Sequence, residues 1–115
     1  MKVHDQIDPN KSIEFIYKYG TQYAYAKAEL GYLEDFRKSK IALLMKTALV
    51  AGFNTIAAQE REALADMEYI ELLKGIREAA ERSEKLRWEL VAAQARLDVW
   101  RSQEASNRLM DKITL

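Results

Sequence analysis

From Met67 to Met110 the chain repeats its apolar positions every three and four residues, with no proline and a single glycine, Gly75. One seven-residue phase reads Tyr69, Ile76, Ser83, Leu90, Leu97, Glu104. Its companion, three residues on, reads Leu72, Ala79, Leu86, Ala93, Trp100, Asn107. Ten of those twelve are apolar or small. Such a repeat predicts a long helix with a coiled-coil seam, since knobs spaced by seven stay on one side of an underwound helix. Over residues 67–110 it would rise roughly 65 Å at ~1.5 Å per residue.

The first half of the chain carries a second seam. Tyr19, Tyr23, Ala26, Leu30 and Leu33, then Ile41, Leu44 and Ala48, alternate in threes and fours. Arg37 occupies the one polar place between them. Ser12, after Pro9, reads as the N-cap of this helix, with Pro9 allowing a slightly earlier start. Gly20 and Gly31 weaken it locally and mark places for a kink or a close helix contact. Ala51-Gly52-Phe53-Asn54 ends it: Gly52 suits a C-cap, and Asn54 or Thr55 a new N-cap. Asp66 suits the N-cap of the long helix, with Glu68 and Glu71 complementing its dipole.

The predicted fold is therefore all-α: a long antiparallel, coiled-coil-like helical hairpin with a short connecting helix. It forms a single domain over 1–115, with helices at about 12–50, 55–65 and 67–110. Two long helices joined by a short connection must return antiparallel. Centring the hairpin near residue 59 sets Arg37 level with Glu81 and Ser83, as a polar pair fixing register. It also sets Tyr19 and Tyr23 near Leu97 and Trp100. Residues 111–115 are expected to fray.

Composition narrows the function classes. Eighteen basic and eighteen acidic residues give zero formal net charge, so bulk charge offers no argument for nucleic acid. The charge is uneven: residues 51–84 hold four basic and eight acidic side chains, while 85–115 hold six and four. No cysteine is present, which excludes thiolate chemistry and suits a reducing cytoplasm. Residues 1–10 are polar, unlike a signal peptide, and no run approaches the ~20 apolar residues of a membrane span.

Catalytic chemistry finds few candidates. The one histidine, His4, sits in the polar N-terminal segment and reads as a surface residue. Zinc-type ligand sets, Glu-x-x-His pairs and glycine-rich phosphate loops are missing from the sequence. Glu60, Glu62, Glu68, Glu71, Glu78, Glu81 and Glu84 read as a solvated face. Glu104 holds a seam position and marks where the coiled coil ends. No enzyme activity, cofactor or metal is expected.

Two surfaces remain. On the outer face of the long helix, Glu71, Lys74, Arg77, Glu78, Glu81, Glu84 and Lys85, with only Ile70 apolar among them, give way to Trp88, Val91, Ala92, Ala95 and Val99. An apolar second face needs a cover. Residues 13–25 or the N-terminal tail, a second copy, or a foreign partner could supply it, with Trp88 as anchor in either interface. The other surface is a basic cluster, Arg37, Lys38, Lys40 and Lys46, with Lys85, Arg87 and Arg96 expected alongside on the returning helix. Tyr17, Tyr19, Tyr23, Tyr25 and Tyr32 add aromatic faces. Cations with aromatics are ingredients of single-strand binding platforms, though Tyr19 and Tyr23 are better explained as seam residues.

The stretch Ala57-Ala58-Gln59-Glu60-Arg61-Glu62-Ala63 with Tyr69-Ile70-Glu71, and the run from Arg87 to Arg108 beginning Arg87-Trp88-Glu89-Leu90-Val91, resemble small helical proteins of tailed bacteriophages and prophages. The resemblance covers about residues 25–110. It associates the chain with early regions that carry recombination and single-strand annealing genes. It brings no catalytic motif. It implies a host-cytoplasm location and an accessory role in DNA recombination or replication, through single-stranded DNA or a recombination protein. The alternative is a non-enzymatic coiled-coil interaction module without nucleic-acid contact, as a homodimeric scaffold or an inhibitor of a host protein. A homo-oligomer is expected in both.

Overall fold

The computed structural model describes residues 7–114, which form three helices: α1 (Pro9–Val50), α2 (Ile56–Ala65) and α3 (Met67–Thr114). Their boundaries follow local chemistry. Asp8, rather than Ser12, caps α1: its carboxylate accepts from the Asn10 N–H at 2.9 Å, and Pro9 takes the first helical position, where its missing N–H is harmless. Ser12 is instead buried inside the first turns.

α1 ends at Gly52, whose φ of 106° lies in the left-handed region that a Cβ disfavours. Phe53 N–H donates to Ala48 at 3.0 Å and Gly52 N–H to Leu49 at 3.1 Å, the paired bonds of a Schellman cap. Thr55 caps α2 through Ala58 N–H at 3.1 Å. Asp66 closes α2 and opens α3 by accepting from Glu68 N–H at 2.8 Å. α3 continues through Thr114, so the fraying expected at 111–115 does not appear over its described part.

Contacts divide the chain into two units. The turn unit comprises Tyr25–Ser83: the rest of α1, all of α2 and the start of α3. The terminal unit joins the chain up to Ala24 with the chain from Glu84. Both place α1 and α3 antiparallel. In the turn unit Lys40 Nζ lies 3.5 Å from Glu68. In the terminal unit Tyr23 is close enough to Arg87 to act on its charge.

These pairs put the reversal at about residue 54, not 59. α2 is the reason. It lies against α1, with Ala63 beside Leu44, so it is already part of the returning arm. Tyr23 therefore lies level with Arg87 rather than with Leu97 or Trp100. Arg37 and Glu81 are both exposed, and the buried pair does not form. Phe36 and Lys40 are half-buried while Arg37 is exposed, so its guanidinium stays in water and avoids the cost of burying an unpaired charge.

The turn unit packs three helical segments around Leu44, Ala63 and Tyr69, flanked by Ile41 and Met45. The terminal unit packs two, through Leu86 and Ala93 of α3. No large side chain among the described residues is fully buried. Between so few cylinders a large side chain keeps one edge in water, and small residues such as Ala26, Ala48 and Ala93 take the closest approaches. Gly20, Gly31 and Gly75 serve no such approach, because a Cβ at each would meet nothing within 4 Å.

Candidate interaction surfaces

The apolar face of α3 lies in the terminal unit. Trp88 is 57% exposed, and Val91, Ala92, Ala95 and Val99 are exposed with it. Residues 13–24, which belong to the same unit, do not cover the face, and residues 1–6 of the N-terminal tail lie outside the described residues. At ~100° per residue the five positions fall within about a third of the helix circumference, opposite the Leu86–Ala93 seam.

Trp88 is held in place. Its indole N–H donates to Glu84 Oε1 at 3.1 Å, and the Arg87 guanidinium stacks 4.6 Å from the ring centroid. Arg87 also grips Glu84 with two bonds, at 2.6 Å and 3.2 Å. The Arg87 hydrogen bonds lower the Glu84 carboxyl below its ordinary value; slight desolvation opposes them, and the Arg87 charge and Trp88 N–H add to them. Glu84 in turn raises Arg87 through the same bonds. The pair is half exposed, so its contribution is orientation of the indole more than stability.

The basic cluster lies in the turn unit and does not form one face. Taking Arg37 as origin at ~100° per residue, Lys38, Lys46 and Lys40 point at about 100°, 180° and 300°. Lys40 is half-buried and paired with Glu68. The residues that α3 sets beside this stretch are its acidic first turns; Lys85, Arg87 and Arg96 belong to the other unit. Arg37, Lys38 and Lys46 are exposed and make no ion pair among the described residues. Tyr19 and Tyr23 are half-buried seam residues, Tyr19 packing on Phe15 at 4.4 Å, whereas Tyr17, Tyr25 and Tyr32 are exposed.

Glu60, Glu62, Glu68, Glu71, Glu78, Glu81 and Glu84 are all exposed, and Glu104 is half-buried. Among the described residues no group of acidic or histidine side chains is arranged to hold a metal ion, and no helix is long and apolar enough to cross a membrane. His4 lies outside the described residues. The sequence reading stopped the apolar face at Val99. The same spacing continues through Ser102, Ser106, Leu109 and Ile113, all exposed; the two serines interrupt the apolar signal, and Ile113 lies beyond the expected helix end at Met110. No protein-family model, curated protein or solved structure matches the chain.

Proposed function

We propose that this protein works without catalysis of its own, as a helical docking module that presents the outer face of α3 to another protein. The observation that carries this reading is the exposure of Trp88 with Val91, Ala92, Ala95 and Val99 as one face of a rigid helix. A large aromatic pinned by Glu84 and Arg87 is preorganised as an anchor, which cuts the ordering cost of binding. The resemblance to small phage proteins supplies the setting: an accessory role in DNA recombination or replication in the host cytoplasm, with a recombination protein as partner.

The test is binding of a purified phage single-strand annealing protein, followed by anisotropy of the labelled chain. Ala95→Glu places a charge in the centre of the face and should weaken binding at least tenfold. Unchanged affinity removes the face from the function.

A second reading is direct contact with single-stranded DNA, favoured by the exposure of Arg37, Lys38 and Lys46. A labelled oligonucleotide titrated at two salt concentrations separates the two. Phosphate contacts release counterions, so salt-sensitive binding abolished by Lys38→Glu with Lys46→Glu would support DNA. Absence of binding supports the protein partner.

A further inference from the structure

The exposed face of α3 is a second heptad seam. One phase reads Trp88, Ala95, Ser102, Leu109, and the other reads Ala92, Val99, Ser106, Ile113. Successive members alternate by four and three residues without a break. All eight positions are exposed, Ile113 at 69%. The inner seam of the same helix, through Leu86 and Ala93, is already occupied by α1. A helix with two opposed heptad seams is built to pack on two sides.

The geometry points to a second copy of this chain as the occupant, antiparallel, with the two-fold axis passing between Trp100 and Arg101. It rests on the docking reading above in using the same face, and the second copy would have to leave before a recombination protein could dock there. Two observations select this partner. The first is self-complementarity. In that alignment Trp88 meets the partner's Ile113, Ala92 meets the partner's Leu109, Ala95 meets the partner's Ser106 and Val99 meets the partner's Ser102. Two of the four layers, Ala92 with Leu109 and Val99 with Ser102, set a larger side chain against a smaller one, while Trp88 with Ile113 closes each end with two large apolar groups. A parallel pair would stack Trp88 on itself and Ala92 on itself, alternating bulges with gaps. It would also bring Glu84 beside the partner's Glu89, a like-charge contact of the kind flanking positions select against.

The second observation is area. With Val91, the five large side chains of this face are each 44% to 69% exposed and together leave several hundred Å² open, the same order as the ~800 Å² that each partner gives to a stable interface. Contiguous apolar patches of that extent are uncommon on soluble monomers. An isologous contact uses one patch on both chains and closes after two.

The experiment is sedimentation equilibrium of the full chain at micromolar concentration, with cysteine variants reporting the alignment. The expected mass is twice the 13.3 kDa of one chain. Ala95→Glu should raise the dimer dissociation constant at least tenfold with helical circular dichroism unchanged. The sequence has no cysteine, so introduced pairs report cleanly. Ala92→Cys combined with Leu109→Cys should oxidise to a covalent dimer. Ala92→Cys alone should not, because the two copies of residue 92 would lie about 25 Å apart along the axis, beyond disulfide reach. A monomeric parent, ready cross-linking by Ala92→Cys alone, or an Ala95→Glu variant that stays dimeric would each overturn the inference. If the parent is monomeric and Ala95→Glu still loses the recombination protein, the docking reading survives without the second copy. If Ala95→Glu changes neither, both fall.

Discussion

The two halves of α3 use the same helix differently. From Met67 to Ser83 it packs in the turn unit against α1, with α2 adding a third segment, and its outer face carries Glu71, Lys74, Arg77, Glu78 and Glu81 in solvent. From Glu84 onward it packs on α1 with no third helix among the described residues, and carries Trp88, Val91 and Val99 on the outside. The inner seam keeps its heptad through both halves, so the difference lies wholly in what the outer face bears. The turn unit has a hydrophobic cluster of its own. The terminal unit has fewer segments and more uncovered apolar surface.

Substitutions can break this contrast in graded steps. The largest effect is expected at the turn-unit cluster. Leu44 is 8% exposed while its neighbour Leu43 is 55% exposed, so Leu44→Ala should lower unfolding free energy by ~2–4 kcal/mol in urea, against under ~1 kcal/mol for Leu43→Ala. Equal losses would mean that the burial pattern of α1 is wrong. In the terminal unit Ala93, 0% exposed, has no room for growth, and Ala93→Leu should cost ~1–3 kcal/mol by overpacking.

Glycines give a smaller effect with opposite signs. Gly52→Ala forces a Cβ into the left-handed region and should destabilise by about 1 kcal/mol. Gly75→Ala meets nothing within 4 Å and should stabilise by about 1 kcal/mol through helix propensity. Thermal melts of the two variants should move in opposite directions.

The smallest effect is the acid response of the Trp88 anchor. Glu84 titrates below its ordinary value because Arg87 binds the charged form. The interaction is thus present above the ordinary glutamate range and lost as pH falls through the lowered value. Indole fluorescence in a Trp100→Phe background should follow that loss, and Glu84→Gln should flatten it. A curve unaltered by Glu84→Gln would detach Trp88 from its carboxylate.

Much of this was legible in the sequence, for physical reasons. Every named position of the inner α3 seam from Tyr69 to Glu104 is buried or half-buried, because a seven-residue apolar repeat has one way to hide. Thr55 and Asp66 cap as expected, and Gly52 turns the chain. Register was not legible. Heptads show which face packs but not where along the partner, and treating α2 as a connection moved the expected reversal by several residues. Arg37 misled for a related reason. Spacing placed it on the seam, yet Phe36 and Lys40 are the half-buried residues there, which avoids the cost of burying an unpaired guanidinium. The basic cluster looked compact because its members are neighbours in sequence, but a helix turns neighbours away from one another.

The position of the reversal also sets an order in time. Lys40 and Glu68 close a short loop, whereas Tyr23 and Arg87 close one roughly twice as long, and loop entropy favours the shorter closure first. Folding then starts around Gly52 and proceeds outward, with amide protection at Leu44 preceding that at Ala93 in pulse-labelled exchange. During synthesis the residues before Ala24 must wait for their counterparts beyond Glu84 to emerge. The apolar outer face of α3 is consequently assembled last, and on the docking proposal a partner that grips it would act on the latest-forming part of the chain.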